Sequence, residues 1–163
     1  MFLNILDETR ILLLKRIVKN PPVADAYLAG GTALALMFGH RESIDFDWFT
    51  PTMFEGNDIK TELERLGKVE TIEIKKGAFH CFLDDIKLTW LYYPNPLPKE
   101  KVSIPACQRL NLISILDIAV MKWAAISGRG SRKDFIDLYF ICHKGTTLKS
   151  LVPLFNLRGN CFY

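Results

Sequence analysis

Two aspartates, Asp45 and Asp47, stand one residue apart in the segment SIDFDWF, shortly after the glycine pair Gly30-Gly31. The alternation of apolar and acidic residues predicts a strand that presents both carboxylates on one face, with their Cα atoms about 6 to 7 Å apart. Two carboxylates at that spacing can share a divalent cation. Magnesium is the natural occupant, because it prefers hard oxygen ligands and completes its shell with waters and substrate phosphates.

The glycine pair predicts the phosphate-binding half of such a site. A short apolar segment at residues 26–29 leads into it, Thr32 is placed to cap a helix through ALALMF, and Gly39 is placed to end that helix. Backbone N–H groups at the start of a helix attract phosphate. A strand, glycine turn and helix followed by paired aspartates are therefore typical of in-line phosphoryl or nucleotidyl transfer.

Each part has a simpler interpretation when it is taken alone. A Gly-Gly pair before a helix is more often only a turn, and an Asp-x-Asp on a strand is more often an exposed polar face. Here Phe46, Trp48 and Phe49 indicate a strand that is largely covered, and buried acids need a partner such as a cation. The combination is more specific than either part, and no P-loop or dinucleotide-binding glycine motif competes with it.

Composition sets wide limits on function. The 163 residues, 49% of them hydrophobic, suffice for one compact domain, and a net charge of +3 permits an anionic partner without requiring one. The four cysteines include no Cys-x-x-Cys pair, which favours reduced, buried thiols over a zinc site. The segment MFLNILDETR does not resemble a secretory signal, and no apolar run approaches the ~18 residues of a membrane span. We therefore expect a cytoplasmic protein without membrane contact.

Amphipathic and alternating patterns predict the elements that would hold the site. Helices are predicted at residues 4–19 and, capped by Asn57, through DIKTELERL. Three strands are predicted in VETIEIKK, AFHCFL and IKLTWLYY, with turns at Lys76-Gly77 and Asp84-Asp85 between them. The proline-punctuated PNPLPKEKVSIP is interpreted as a connection.

Two capping patterns predict helices in the second half of the chain. Ser114 with Asp117 three residues later precedes IAVMKWAAIS. Ser131 with Asp134 repeats that spacing before FIDLYFICHK, which Gly145 ends. The stretch 146–163 carries no clear periodicity and predicts no element. The expected order is thus a sheet followed by two helices.

Two segments together resemble a known family. GGTALALMFGHRESIDFDWFT is similar to the first motif of the AbiEii/AbiGii-toxin-type nucleotidyltransferases, a branch of the polymerase-beta-like superfamily. DIAVMKWAAISGRGSRKDFIDLYF is similar to that family's inward lysine followed by a Lys-Asp-x-x-Asp-Leu helix. The resemblance, which extends to about His143, implies an α+β fold: a small mixed sheet flanked by helices, with a helical C-terminal part closing the cleft. It implies a single domain, with the sheet core and N-terminal helix in 1–105 and the helical part in 106–163.

Matched residue by residue, the resemblance implies a nucleotide and metal site in the first segment. It assigns Asp45 and Asp47 to Mg²⁺ and to catalysis. It assigns the phosphates of an NTP to residues around the glycine turn, which are Gly30, Gly31, Thr32, Arg41 and Ser43. Arg41 and Ser43 would either hold phosphate or fix the aspartate strand.

The second segment adds candidates from the helical part. Lys122 is the one charge inside IAVMKWAAI; from the sequence alone it would snorkel to the surface, whereas the resemblance directs it into the cleft to meet developing charge. Asp134 and Asp137 share one helix face. From the sequence alone they form a cap and a solvated face, whereas the resemblance makes Asp134 part of the active site and places Lys133 near nucleotide or RNA.

The chain departs from the family pattern in two places. Polymerase-beta-like enzymes commonly carry a third carboxylate on a neighbouring strand, and IKLTWLYYP has Thr89 there. A hydroxyl is a poor general base and a weak magnesium ligand, so Asp134 would have to substitute from the helix. Relatives also continue with more helical sequence than LVPLFNLRGNCFY supplies, which would leave acceptor binding incomplete.

The leading hypothesis is a magnesium-dependent nucleotidyltransferase of the toxin–antitoxin or phage-defence kind. It would move a nucleoside monophosphate from an NTP to a hydroxyl of RNA, such as tRNA, or of a protein, and a cognate antitoxin would accompany it. The alternative from another class is a catalytically degenerate module that binds nucleotides or proteins, for which Thr89 is the argument. A third hypothesis is a kinase-like transfer of phosphate to a small molecule.

Overall fold

A computed structural model describes residues 1–94, 102–104 and 107–158. The strands in these residues are β1 (Tyr27–Leu28), β2 (Phe46–Thr50), β3 (Val69–Lys75), β4 (Ala78–Leu83), β5 (Ile86–Tyr92), β6 (Val102–Ile104) and β7 (Cys107–Leu112). They form one seven-stranded sheet in the order β3-β4-β5-β2-β1-β7-β6. β2 is parallel to β5 and β1 is parallel to β7, whereas the other neighbours are antiparallel. The predicted mixed sheet is confirmed.

Helices pack against this sheet and against one another. In the described residues they are α1 (Glu8–Lys19), α2 (Gly30–Phe38), α3 (Gly56–Glu64), α4 (Ile115–Gly128), α5 (Arg132–His143) and α6 (Leu148–Arg158), and a 3-10 helix at Leu3–Ile5 precedes α1. α1 contacts β7, and α3 contacts β3 and β4. α2 contacts β2 as well as α4 and α5. α2, which begins with the glycine pair, therefore packs between β2, which carries Asp47, and the helices α4 and α5.

The core explains which way the aspartate strand faces. Along β2 the buried positions alternate with half-buried ones, so Phe46 and Trp48 point into the core while Asp47 points to the opposite face. Trp48 stacks on Trp90 of β5 with ring centroids 5.3 Å apart. The fully buried Leu13 of α1 belongs to the same cluster. Burial of these aromatic side chains fixes the register of β2 and thereby the side on which its carboxylate lies.

The predicted strands β3, β4 and β5 are confirmed, but the chain after them was predicted wrongly. Val102–Ile104, inside the supposed connection, pairs with β7, and Cys107–Leu112, for which no strand was predicted, pairs with β1. The sheet therefore continues past residue 105. Residues 95–101, 105 and 106 lie outside the described part. A further helix, α6, occupies Leu148–Arg158 despite Pro153 within it.

Three helix starts differ from the predicted ones. α1 begins at Glu8 instead of residue 4, after Asp7, whose carboxylate accepts the Arg10 N–H over 2.8 Å. α2 has Ala29 at its N-cap position, so Thr32 lies inside the first turn and is not the cap. α3 follows Glu55 and not Asn57. The predicted stop of α2 at Gly39 is confirmed, with a φ of 64° at this residue.

Other expectations can be checked in the same residues. The Ser114 capping box is confirmed, since its Oγ accepts the Asp117 N–H over 3.2 Å. Cys81 is a buried free thiol, and burial raises its pKa to about 12. Across the described ranges, no helix combines the length and the apolar character that a membrane crossing requires. The division into a single domain stays a prediction.

Candidate active site

The glycine turn and the aspartate strand lie side by side. The Ala29 N–H donates to the carbonyl oxygen of Asp47 over 2.9 Å. Gly30 has a φ of +64°, and a Cβ atom placed on it would lie 2.6 Å from Asp47 Oδ2. Any other residue would be strained there and would collide with the carboxylate. The start of α2 and the carboxylate of Asp47 therefore form one site.

Thr32 and Ser43 fix the backbone of the segment that precedes β2 in the chain. Asp45 is the residue just before that strand, so sheet pairing does not fix it. Instead the Thr32 hydroxyl donates to the carbonyl oxygen of Asp45, and it lies 2.7 Å from Ser43 Oγ. Both side chains are buried. The two hydroxyls thus position Asp45, and the backbone N–H groups at the start of α2 are the donors left to face a phosphate.

Asp45 and Asp47 suit a hard divalent cation. Burial raises the pKa of Asp47 and the negative charge of Asp45 raises it further, whereas Lys122 and a hydrogen bond from Thr89 lower it. A cation between the two carboxylates would remove that repulsion. Within 1–94, 102–104 and 107–158, no group of three or more His, Cys, Asp or Glu side chains is placed to hold a metal ion. Two carboxylates without a third protein ligand are the donor set with which proteins commonly hold Mg²⁺, since this ion keeps several waters and binds substrate phosphates.

β5 supplies the residue opposite Asp47. In the parallel pairing of β2 with β5, Thr89 is the Cα partner of Asp47, as the sequence predicted. Directly paired residues point to the same face of a sheet. Thr89 is 8% exposed. A largely buried hydroxyl therefore stands where the resemblance would place a third carboxylate.

Asp137 of α5 is the centre of a buried ionic cluster. Its Oδ1 accepts from His40 Nε2 and from Arg41 Nε, each over 2.8 Å, and its Oδ2 accepts from Arg41 Nη2 over 3.0 Å. Lys122 Nζ lies 2.8 Å from the same Oδ2. Burial raises the pKa of Asp137, but the hydrogen bonds from His40 and Arg41 and the charge of Lys122 outweigh burial and hold it well below the ordinary range. Arg41 is thereby anchored to α5.

Asp134 forms a second centre one turn earlier on α5. Lys122 Nζ donates to its Oδ1 over 3.0 Å, Arg129 Nε donates to its Oδ2 over 2.9 Å, and Ser131 Oγ donates to Oδ2 over 2.7 Å. Burial raises the pKa of Asp134, yet the hydrogen bonds from Arg129, Ser131 and Lys122 together hold it well below its ordinary value. Both Asp134 and Asp137 are fully buried, so the interpretation as a solvated helix face is wrong.

Lys122 and Arg129 connect this cluster to the aspartate strand. Lys122 is 7% exposed, so it points into the molecule and does not snorkel to the surface. A hydrogen bond to Asp134 raises the pKa of Arg129, and the charge of Asp47 contributes to the same shift. Three cations, Arg41, Lys122 and Arg129, contact two carboxylates, which leaves one net positive charge within reach of Asp47.

The structure brings together most of the residues that the sequence proposed and adds three. Gly31 abuts the cluster, since a Cβ atom on it would lie 2.0 Å from Arg41 Nη2. Lys133 is instead exposed on the first turn of α5. The additional members are His40, Arg129 and Asp137. Their signals were present in Gly-His-Arg, in GRGS and in the second aspartate of the α5 motif. The contact of His40 with Asp137 spans 97 residues and cannot be read from local spacing, whereas Arg129 lies only five residues from Asp134.

Solved nucleotidyltransferases share this architecture. A solution structure of the antibiotic-resistance factor ANT(2'')-Ia superposes with a TM-score of 0.68 over 95% of this chain and 94% of its own, at 16% identity. A crystal structure of ANT(2'')-Ia in complex with adenylyl-2''-tobramycin superposes with a TM-score of 0.64 over 92% of this chain and 98% of its own, at 17% identity. MenT4, a nucleotidyltransferase toxin from Mycobacterium tuberculosis H37Rv, superposes with a TM-score of 0.64 over 90% of this chain and 60% of its own, at 17% identity. The chain has the nucleotidyltransferase fold.

The family follows from the sequence match. Residues 12–160 match the model of the family described as nucleotidyl transferase AbiEii toxin, type IV toxin–antitoxin system. The chain belongs to this family and is a nucleotidyltransferase of the AbiEii toxin type, which confirms the resemblance. An uncharacterized protein of Aquifex aeolicus (strain VF5) is 38% identical over 149 residues, which cover 86% of this chain and 69% of the relative.

Proposed function

We propose that this protein transfers a nucleoside monophosphate from an NTP to a hydroxyl group of RNA, such as tRNA, or of a protein, in a magnesium-dependent reaction. The observation that carries the proposal is the contact between the glycine turn and the metal-binding acid, where a Cβ atom on Gly30 would lie 2.6 Å from Asp47 Oδ2. Phosphate bound at the start of α2 would thus lie beside the carboxylates. That juxtaposition suits a nucleotide triphosphate whose phosphates and metal are held together.

The roles of the acids follow from their surroundings. Asp45 and Asp47 would hold Mg²⁺, which would neutralise negative charge on the phosphates as it develops. Thr32 and Ser43 would act indirectly, since their hydroxyls fix the segment that carries Asp45. Desolvation and the negative charge of Asp45 raise the pKa of Asp47. A bound cation would offset both effects and stabilise the two ionised carboxylates.

The cationic side chains would receive the triphosphate. Lys122 is held between Asp134 and Asp137, with Nζ–O distances of 3.0 and 2.8 Å, and it lies within electrostatic reach of Asp47. Arg129 pairs with Asp134 but keeps 69% of its side chain exposed, so it can turn towards an anion. The net positive charge of the cluster would be balanced by phosphate. Gly30 and Gly31 would contribute backbone donors, and the exposed Lys133 would meet the nucleotide or the RNA.

The partners are proposed from the family and from charge. The family description names a type IV toxin–antitoxin system, which supports a cognate antitoxin and a cytoplasmic reaction. The net charge of +3 suits an anionic acceptor such as RNA. A protein hydroxyl is the second acceptor class, because the chemistry at the α-phosphorus is the same for both.

A catalytically degenerate nucleotide-binding module is the second candidate. Thr89 is the observation that favours it, because this hydroxyl occupies the position opposite Asp47 where an acid would assist catalysis. Such a module would bind the same NTP in the presence of Mg²⁺ but would not turn it over. The two candidates therefore differ in turnover and agree in binding.

The test is incubation of the purified protein with each α-labelled NTP, Mg²⁺ and total tRNA, beside the Asp45→Asn/Asp47→Asn double variant. Label transferred to RNA by the wild type alone supports nucleotidyl transfer and names the nucleotide. Label on protein bands alone selects the protein acceptor. Magnesium-dependent NTP binding without label transfer to either class of acceptor would contradict the proposal and favour the degenerate module.

A further inference from the structure

Four polar side chains form a row across four neighbouring strands. Asp47 of β2 is paired with Thr89 of β5, Thr89 is paired with His80 of β4, and His80 is paired with Glu73 of β3. Because directly paired residues project from the same face of a sheet, all four side chains lie on the face that carries the candidate metal site. The row thus leads from the metal-binding acid to the edge strand β3.

Contacts along the row define a direction for a proton. Thr89 Oγ1 lies 3.3 Å from His80 Nδ1, and His80 Nε2 lies 3.5 Å from Glu73 Oε2. With the Nε2–H directed at the Glu73 carboxylate, the neutral imidazole has its lone pair on Nδ1, facing the Thr89 hydroxyl. This is the arrangement of a hydroxyl, a histidine and an orienting carboxylate.

The reaction needs a proton acceptor that the known acids of the site do not supply. Asp134 accepts from Lys122, Arg129 and Ser131, and Asp137 is likewise surrounded by cations. Both carboxylates are fully buried in these ion pairs and are therefore poor bases. The prediction that Asp134 replaces the third carboxylate is not supported by this geometry.

A hydroxyl can pass a proton on although it is a weak base. Thr89 has one O–H donor and two acceptor lone pairs, so it can accept a proton from one side while it donates its own to the other. Its single O–H is within reach of both the Asp47 carboxylate and His80 Nδ1, and a relay requires this O–H to turn to His80. An acceptor hydroxyl attacking phosphate held near Asp47 would approach the Thr89 oxygen.

We propose that Thr89, His80 and Glu73 form a proton relay that takes the place of the missing third carboxylate. The inference rests on the proposed nucleotidyl transfer. The oxygen of the acceptor hydroxyl forms a bond to the α-phosphorus, and the bond from that phosphorus to the oxygen bridging to the β-phosphate breaks, so pyrophosphate leaves with the electron pair. The acceptor proton passes to Thr89 Oγ1 while the Thr89 proton passes to His80 Nδ1. The imidazolium is stabilised by Glu73 and later releases its proton to water.

The first arm of the test changes Thr89, whose hydroxyl must carry the proton. Thr89→Val removes that hydroxyl with little change of shape, and Thr89→Ser keeps it. We expect Thr89→Val to lower the transfer rate at saturating NTP by about 10²-fold, the usual size of a lost acid–base step, while magnesium-dependent NTP binding is unchanged. Thr89→Ser should stay within a few-fold of the wild type. Equal rates for Val and Ser variants would overturn the relay.

The second arm asks whether a carboxylate makes His80 dispensable. His80→Gln should be slowed to the same extent as Thr89→Val, and the double variant Thr89→Asp/His80→Gln should recover most of the rate, because the new carboxylate accepts the proton directly. A purely structural histidine would not be rescued in this way. Glu73→Gln removes the carboxylate that orients His80 and should also slow the transfer. Glu70→Gln, at an exposed acid on the same strand, is its matched control and should leave the rate unchanged.

The outcomes separate the relay from the activity itself. If the wild type transfers label and His80→Gln does so at the same rate, the relay is wrong and nucleotidyl transfer stands. If His80→Gln is slow and the double variant, folded and binding NTP, is equally slow, the relay is also wrong. If the wild type transfers nothing under conditions in which it binds NTP, the proposed function fails and the relay fails with it.

Discussion

The hydroxyl of Thr32, inside the first turn of α2, donates a hydrogen bond to the carbonyl oxygen of Asp45. The same hydroxyl oxygen lies 2.7 Å from Ser43 Oγ. This contact ties the glycine helix to the loop that presents the first aspartate. Thr32, which the family resemblance assigns to phosphate, thereby becomes a residue that holds the segment before β2 in place.

Removing the Thr32 hydroxyl should reduce both the stability and the activity of the protein. We expect Thr32→Val to lower the free energy of unfolding by about 1 to 3 kcal/mol, because the Asp45 carbonyl and the buried Ser43 hydroxyl lose a partner. Transfer activity should fall with it as Asp45 shifts. Thr32→Ser keeps the hydroxyl and serves as the control in urea unfolding and in the label-transfer assay. A valine variant as stable and as active as the serine variant would contradict this role.

Gly31 and Arg41 should show strong energetic coupling. A Cβ atom at position 31 would lie 2.0 Å from Arg41 Nη2 and 3.2 Å from Asp137 Oδ2, so Gly31→Ala must push Arg41 away from its carboxylate. In an Arg41→Ala background that collision is gone, and alanine is favoured over glycine within a helix by up to ~1 kcal/mol. We therefore expect Gly31→Ala to destabilise the wild type and to be neutral or stabilising in the variant.

A double-mutant cycle measured by urea unfolding checks this coupling. The coupling free energy should fall in the range of about 0.5 to 3 kcal/mol that contacting residues show. Additive effects of the two substitutions would mean that the guanidinium of Arg41 does not occupy the space beside Gly31.

Asp137 should be among the residues most sensitive to substitution. Its carboxylate neutralises Arg41 and Lys122 and accepts from the buried His40. Asp137→Asn leaves Arg41 without its buried counterion and Lys122 with Asp134 alone, and breaking a buried pair in this way typically costs about 3 to 5 kcal/mol. Glu62→Gln, which removes an exposed pair with Arg65, is the matched control and should change stability by less than about 1 kcal/mol. Urea unfolding of both variants makes the comparison.

The same carboxylates predict how stability responds to acid. Hydrogen bonds and cations overcome the effect of burial and lower the pKa of Asp134 and of Asp137 in the folded state. In the unfolded chain these groups titrate near the ordinary value of about 3.9. The stabilisation they provide is therefore fully present above that value and is lost as the pH falls towards their lowered folded values. The free energy of unfolding should therefore drop as the pH falls from about 5 to about 2.

Asp137→Asn supplies the control for this pH dependence. The variant cannot protonate at position 137, so its loss of stability between about pH 5 and pH 2 should be smaller than that of the wild type. An equal or larger loss in the variant would show that Asp137 is not held ionised by its neighbours.

Local patterns predicted the elements that carry strong periodicity. β2 alternates aromatic and acidic residues, and the three strands that follow are divided by Gly77 and Asp84-Asp85, all of which adopt positive φ. β6 has three residues, too few for a periodic pattern, and β7 pairs with β1, which is distant in sequence. α6 was not predicted, because its residues show no clear periodicity and contain Pro153, a residue that usually interrupts a helix.

The site was predictable to the extent that its residues belong to motifs. The spacing of Asp45, Asp47 and the glycine turn predicted that they lie together. Lys122 was directed into the cleft only by the family resemblance, because the sequence alone favoured a position at the surface. Asp137 could not be recognised as a hub, since its partners His40 and Arg41 lie 97 and 96 positions away along the chain. Burial of a carboxylate among cations is a property of the tertiary structure.

Following the two ends of the triphosphate separately tests most directly whether Asp45 and Asp47 serve nucleotidyl transfer. Parallel reactions would contain Mg²⁺, total RNA and either α-labelled or γ-labelled NTP, with wild type, Asp47→Asn and, as the control in the same loop, Glu42→Gln. We expect the α label on the acceptor and the γ label in pyrophosphate for wild type and Glu42→Gln, and neither for Asp47→Asn. The γ label on the acceptor, or equal transfer by Asp47→Asn, would contradict nucleotidyl transfer at this site.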